Sequence, residues 1–171
     1  MAASLSKCST IQPMELIGQH KTNYVYYFLP DKEPFDNLPK ENWICLGIAN
    51  QEFDKPLFGR FIKHSIYSGL LEFKGQGEFG EKLHDWFDEE VVNLEVMEEI
   101  PETDVMATWY NGEENNLTNA IWGCFYVQIL PEGTNASETK VVCIPFDGLD
   151  YKNELTTIIE QLNSGWVPPD E

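Results

Sequence analysis

The chain has 171 residues, of which 42% are hydrophobic and 13% aromatic, and it carries a formal net charge of −18 at pH 7. This length and composition are typical of one globular domain with its own core, and they exclude an intrinsically disordered chain. A field of that sign repels phosphate, so the charge disfavours nucleic acid and anionic membranes and favours a basic partner. The alternative is that the charge serves only solubility.

Cysteine usage and hydropathy bear on the compartment. None of the four cysteines, Cys8, Cys45, Cys124 and Cys143, forms a C-x-x-C pair that would indicate a zinc site or a redox dithiol. The last three lie in apolar runs, which is typical of small buried side chains in a reducing compartment. The first eight residues lack a long apolar stretch, and no segment approaches the roughly 18 apolar residues of a membrane span. We therefore expect a cytoplasmic protein without a secretory signal, a bound metal or a membrane contact.

The first half of the chain predicts an arm, two strands and a helix. Residues 1–22 are polar and aperiodic, and we expect an irregular N-terminal arm ahead of a single domain over 23–165. Residues 24–29 favour a strand, and residues 43–49 form the continuous apolar run of a strand buried on both faces. Asp54 and Pro56 are typical of the first turn of a helix, which Gly69 would end.

The second half repeats this alternation. We expect strands at 70–74, 104–110 and 140–146, and helices that begin near Gly80, at an acidic cap that follows Gly112, and at Asp150. Residues 91–96 could extend the helix after Gly80, but their β-branched content favours a short strand. Residues 166–171 read as a C-terminal tail.

This alternation predicts an α/β fold. A single domain with a mostly parallel sheet of about five or six strands and helices on both faces, a Rossmann-like three-layer arrangement, fits the pattern. Because the connections of such a sheet are right-handed, its ligand crevice lies at the carboxyl ends of the strands. The loops expected there are residues 50–54, 75–80, 111–115 and 147–150.

A glycine-rich turn matches the G-x-G-x-x-G fingerprint of dinucleotide-binding folds, between a strand and a helix: Gly75, Gly77 and Gly80. In such folds the glycines admit pyrophosphate to the helix N-terminus, and a distal acid, here Glu98, binds the ribose. Two glutamates, Glu78 and Glu81, stand where phosphate charge would lie and satisfy the helix dipole. We therefore predict a structural turn capped by these glutamates and no cofactor, with a nucleotide site as the alternative.

The densest charge lies between residues 78 and 114, which hold thirteen acidic residues and a single basic one, Lys82. Helical spacing places four of these acids on one outer face of the helix after Gly80. We predict that they bind a basic protein partner together with aromatic and acidic residues of the next strand and loop. The predicted partner-binding residues are Glu81, Asp85, Asp88, Glu89, Trp109, Tyr110, Glu113 and Glu114.

No catalytic residue is predicted. The chain lacks the nucleophile-elbow, P-loop and zinc-protease motifs. His84 precedes Asp85, but neighbours on a helix point about 100° apart, so we do not expect the two to converge on one atom as a base and its partner or, with Asp88, as metal ligands. A solvated acidic face with one partly buried histidine accounts for them. Asp147 and Asp150 follow a strand, where a turn and a helix cap account for them.

Residues 43–126 resemble small acidic bacterial Rossmann-like α/β domains of unknown function. The likeness rests on a strand that ends at Gly75 and on three short motifs, Leu83-His84-Asp85-x-x-Asp88-Glu89, Thr108-Trp109 and Ala120-Ile121-Trp122. The resemblance implies a Rossmann-like fold and no established activity. In size and acidity the chain is also similar to immunity proteins of bacterial toxin systems, which neutralise basic nucleases.

Three functions are compatible with these features. The leading hypothesis is a non-catalytic acidic protein-binding domain, immunity-, inhibitor- or adaptor-like, that uses its 78–114 surface against a basic partner. A small nucleotide-binding enzyme or sensor that uses the turn from Gly75 to Gly80 is the alternative. The third is a nucleic-acid mimic, which would occupy the cleft of a DNA-binding protein with spaced carboxylates.

Overall fold

The computed structural model describes residues 14–169, which form one six-stranded sheet and four α-helices. The strands are β1 (Glu15–His20), β2 (Asn23–Tyr27), β3 (Trp43–Ile48), β4 (Leu70–Gln76), β5 (Met106–Trp109) and β6 (Lys140–Pro145). The helices are α1 (Lys55–Tyr67), α2 (Gly80–Val96), α3 (Leu117–Tyr126) and α4 (Lys152–Asn163). The strand order is β1-β2-β6-β3-β4-β5, with only β1 antiparallel to its neighbour.

Two apolar layers enclose the sheet because successive strand residues face opposite sides. One layer combines alternate residues of β3 with α1 and α2, and its members include Trp43, Cys45, Phe58, Phe61, Leu83 and Phe87. The other combines the intervening residues with α3 and α4, and its members include Ile44, Leu46, Ile121, Leu155 and Ile159. The prediction of a mostly parallel α/β sheet with helices on both faces is confirmed.

The chain path creates a crevice between β3 and β6. From β3 to β5 the chain advances along one face through α1 and α2, and α3 then returns on the other face to place β6 between β2 and β3. The segments that follow β3 and β6 therefore leave toward opposite faces of the sheet. Open α/β sheets bind ligands at such a point, outside the carboxyl ends of the strands.

The start of α1 confirms its sequence signature. The Asp54 carboxylate accepts a hydrogen bond of 2.9 Å from the Leu57 N–H, and Pro56 occupies the first turn. The start of α3 differs from the expectation of an acidic cap. Its N-cap is Asn116, whose side chain accepts from the Asn119 N–H at 2.7 Å, and the preceding acids lie in a separate short 3-10 turn, Gly112–Glu114.

The predicted irregular arm is wrong for the part that the structure describes. Residues 15–20 form β1, which pairs with β2 through a tight turn in which Lys21 has a φ of 52°. This strand lies at the edge of the sheet and is largely exposed, so its sequence lacks the apolar alternation that identifies a strand. Residues 1–13 of the predicted arm lie outside the described residues, as do residues 170–171 of the predicted tail.

The predicted strand over 91–96 is also wrong. These residues are the last turns of α2, because Val91 and Leu94 continue the buried stripe begun by Leu83 and Phe87. Helical spacing of the buried positions therefore outweighs the β-propensity of the valines. No helix in the described part of the chain is long and apolar enough to cross a membrane.

Candidate functional site

The glycine turn, residues 75–80, uses its glycines for close packing. A Cβ atom on Gly75 would lie 2.3 Å from the Gly80 carbonyl oxygen, and one on Gly77 would lie 2.3 Å from the Ala49 oxygen. Gly77 also has a φ of +100°, which L side chains rarely adopt. The first and last glycines bring β4 against the start of α2, and the middle one brings the turn against the end of β3.

The backbone donors of this turn are already used. Phosphate binding at such a turn requires free backbone N–H groups that point at the ligand. Here two asparagines from neighbouring loops take the place of an anion, since Asn115 Oδ1 accepts from the Gly77 N–H and Asn50 Oδ1 from the Glu78 N–H. The next two N–H groups, of Phe79 and Gly80, donate to the carbonyls of Ala49 and Gly77 at 2.9 Å. The turn is therefore filled by the protein itself.

Two details of the sequence prediction for this turn are wrong. The N-cap of α2 is Phe79 without a side-chain hydrogen bond, so Glu78 does not cap the helix, and Glu81 only lies in its first turn. Glu98 follows the opposite end of α2, and a helix of 17 residues spans roughly 25 Å. Glu98 therefore cannot reach a ribose bound at the glycine turn.

The crevice between β3 and β6 is closed by a polar network. Asp147 Oδ2 accepts hydrogen bonds of 2.7 Å from the Asn50 N–H and from the Tyr151 hydroxyl, and Oδ1 accepts from the Leu149 N–H at 3.0 Å. Asn50 Nδ2 also donates to the Tyr151 oxygen at 2.9 Å. Burial and the bond to Asp147 raise the pKa of Tyr151 to about 12, which keeps it a donor. Asp147 thus stabilises the turn that follows β6 and connects it to the loop after β3.

The acidic face of α2, defined here as Glu81, Asp85, Asp88 and Glu89, is exposed. Between Asp85 and Asp88 lies the mostly buried His84, with Nδ1 2.9 Å from Asp85 Oδ1 and Nε2 3.3 Å from Asp88 Oδ2. One ring nitrogen of His84 faces each carboxylate, so the histidine contacts both aspartates directly. Partial burial raises the pKa of Asp88, an effect that His84 opposes and Asp85 reinforces.

The predicted partner-binding residues fall on two sides of the sheet. Trp109 packs against His84 beside the acidic face, with ring centroids 4.3 Å apart. Tyr110, the next residue, packs with the α3 layer, where burial raises its pKa, and shares a groove with Glu114. Glu113 is exposed in the 3-10 turn. The structure thus joins Trp109 to the acidic face and separates Tyr110 from it.

Sequence reasoning missed a buried ion pair on β4. Lys74 Nζ lies 2.8 Å from Glu72 Oε1, and the two side chains are 3% and 0% exposed. The ammonium also donates to the Val127 carbonyl at 2.7 Å, and Glu72 Oε2 accepts from the Ile129 N–H at 3.0 Å. Burial raises the pKa of Glu72, and Lys74 opposes that rise. The sequence signal for this ion pair was the presence of two charged residues at alternate positions of β4.

The thiols and the acids form no metal centre in the described part of the chain. Cys45, Cys124 and Cys143 are free and buried, and burial raises the pKa of each thiol. Among residues 14–169 no group of three or more histidine, cysteine, aspartate or glutamate side chains is placed to hold a metal ion. Cys8 lies outside the described residues.

Comparison with protein families gives a match that covers most of the chain. Residues 23–161 match a family described as a domain of unknown function, DUF7684. This range begins at β2 and ends within α4. No curated protein and no solved structure matches the chain.

Proposed function

Since the chain belongs to the DUF7684 family, a domain of unknown function, we propose its function from its own surface. It is a non-catalytic binding protein whose acidic face on α2 contacts a basic protein partner. Trp109 supplies an apolar anchor at the border of this face. The observation that carries the proposal is the set of four exposed, closely spaced carboxylates on one helix.

The carboxylates of this face are poorly neutralised within the protein. Among the described residues, Asp85 and Asp88 form ion pairs only with His84, and Glu81 and Glu89 form none. Like charges at i and i+4 on a helix are unfavourable, so the arrangement does not serve the helix itself. A basic surface placed against it would relieve this repulsion and would be steered toward it over long range.

The glycine turn supports a nucleotide-binding function less well. Its backbone donors and the crevice beside it are occupied by asparagine and aspartate side chains of the protein. Net negative charge around the turn adds repulsion of phosphate. Binding of a basic protein to the acidic face of α2 requires no rearrangement of the turn or of the crevice.

Affinity capture from the source organism tests the proposal with two double variants of equal charge change. Glu81→Gln/Glu89→Gln removes charge from the acidic face, and Glu154→Gln/Glu160→Gln removes the same charge from α4 on the opposite side of the sheet. We expect the native chain and the α4 variant to retain a basic protein that the α2 variant loses. Equal retention by both variants would contradict a role for the acidic face.

A further inference from the structure

A cavity of about 570 Å³ lies between the loop that follows β3 and the first turns of α2. We call it the α2 cavity. Its aromatic walls are Phe53, Phe79 and Trp86, and its charged lining is Glu52, Lys55, Lys82, Asp85 and Glu89. Its volume is in the range of pockets that hold small ligands or inserted side chains. Asp85 and Glu89 also belong to the acidic face, so cavity and face are one continuous surface.

The aromatic walls of the α2 cavity already hold positive charge. Lys55 Nζ lies 4.5 Å from the centroid of the Trp86 ring, and Lys82 Nζ lies 4.6 Å from that of Phe79. Both distances are within the range of cation–π attraction. Each ring is therefore oriented to bind a cation, and an incoming cation would take the place of a lysine.

Two of the three cavity carboxylates, Glu52 and Glu89, have no ion-pair partner among the described residues, while Asp85 contacts His84 through Oδ1 alone. In the same part of the chain neither Lys55 nor Lys82 forms an ion pair. Three carboxylates also outnumber two ammonium groups, so the lining is net negative. Both lysines are exposed and can leave the rings without breaking an ion pair.

We propose that the α2 cavity is the subsite for an arginine side chain of the basic protein partner. The inference rests on the proposed function and adds the side chain by which the partner is recognised. The guanidinium group would stack on Trp86 in place of the Lys55 ammonium and donate hydrogen bonds to Asp85 and Glu89. Arginine fits better than lysine because its planar, weakly hydrated group matches both a ring face and a pair of carboxylates.

Two peptides of equal charge, nona-arginine and nona-lysine, test this subsite by calorimetry with the full chain. We expect the arginine peptide to bind about two- to five-fold more tightly, as cation–π attraction at an exposed site allows. Trp86→Leu should abolish this difference, while Trp166→Leu, at an exposed tryptophan outside the cavity, should preserve it. Lys55→Ala should raise the affinity for the arginine peptide more than Lys152→Ala does, although the second variant makes the same charge change at α4.

The outcomes separate the two proposals. Equal affinity of both peptides for the native chain would overturn the arginine subsite and leave the acidic face intact as a binding surface. Peptide binding that Glu81→Gln/Glu89→Gln does not weaken, or no binding at all, would overturn the proposed function. If Trp86→Leu shows no cooperative thermal transition, the comparison of Lys55→Ala with Lys152→Ala tests the subsite instead. Affinity for nona-arginine that is no higher in Lys55→Ala than in Lys152→Ala would then overturn the subsite.

Discussion

Glu72 and Lys74 show how single residues can hold a loop to the sheet. Both side chains leave β4 on the same side, because residues two apart on a strand share a face. Their second partners are backbone groups of the segment directly after α3, at Val127 and Ile129. Desolvating two charges costs as much as their attraction returns, so we interpret the pair as a means of fixing that segment in one position.

Removing one member of this pair should be costly. We expect Lys74→Met to lower the free energy of unfolding by about 3–5 kcal/mol, because it leaves the Glu72 carboxylate buried without a counter-charge. The double variant Glu72→Leu/Lys74→Met should recover most of this loss, since an apolar pair carries no desolvation penalty. Urea unfolding of the three chains measures both effects, and an unaffected single variant would contradict the buried ion pair.

The cost of Lys74→Met should depend on pH. Burial already raises the pKa of Glu72 above its ordinary value of 4.5, and the variant removes the charge that opposes this rise. A folded state with a raised carboxyl pKa holds its proton more tightly than the unfolded chain does. The deficit in stability of the variant relative to the native chain should therefore be smallest below pH 4.5 and grow as the pH rises through the folded pKa of Glu72. Unfolding curves collected across this range test the sign.

At the scale of elements, the glycine turn has the fingerprint of a nucleotide site and the packing of a structural turn. Calorimetry with NAD, FAD and ATP should show no binding tighter than about millimolar, which corresponds to about −4 kcal/mol. The reason is that its N–H donors are bound by Asn50, Asn115 and backbone carbonyls. Micromolar binding that an Asn115→Ala variant alters would contradict this prediction.

The acidic face should contribute nothing favourable to the stability of α2. We expect Glu89→Gln to keep or slightly raise the melting temperature, since it removes one repulsion with Asp85 worth roughly 0.2–0.5 kcal/mol. Asp88→Asn should likewise keep or slightly raise stability, because partial burial and Asp85 raise the pKa of this carboxylate in spite of its contact with His84 at 3.3 Å. The melting temperatures of both variants, measured together with Glu160→Gln as a control on α4, test this prediction. A clear loss of stability in Glu89→Gln would show that this carboxylate has a partner within the fold.

At the scale of the whole molecule, the charge of −18 should act on the rate of association. We expect association with nona-arginine to slow steeply between 0.1 M and 1 M salt, as the Debye length falls from about 10 Å to about 3 Å. Dissociation should change much less, because short-range contacts set it. Stopped-flow measurements over this range provide both rates. An association rate that does not change with salt concentration would contradict electrostatic steering and would indicate that the charge serves solubility.

The sequence by itself determined the α/β class, most of the strands and helices, and the position of the glycine turn. Continuous apolar runs such as 43–48 and a helix signal such as Asp54-x-Pro56 are local, so their meaning does not depend on distant residues. Local signals failed at β1, an exposed edge strand, and at 91–96, where β-propensity and helical spacing disagreed.

Only the tertiary structure decided which residues meet. Asn50 and Asn115 are far from the glycine turn in sequence, yet the parallel sheet brings their loops to the same edge, where they fill the place of a phosphate. At the end of β5, Trp109 likewise lies beside the acidic face, and the next residue, Tyr110, packs with α3. The aromatic walls of the α2 cavity come from two separate segments of the chain. Binding surfaces depend on such long-range neighbours, and spacing along one segment does not encode them.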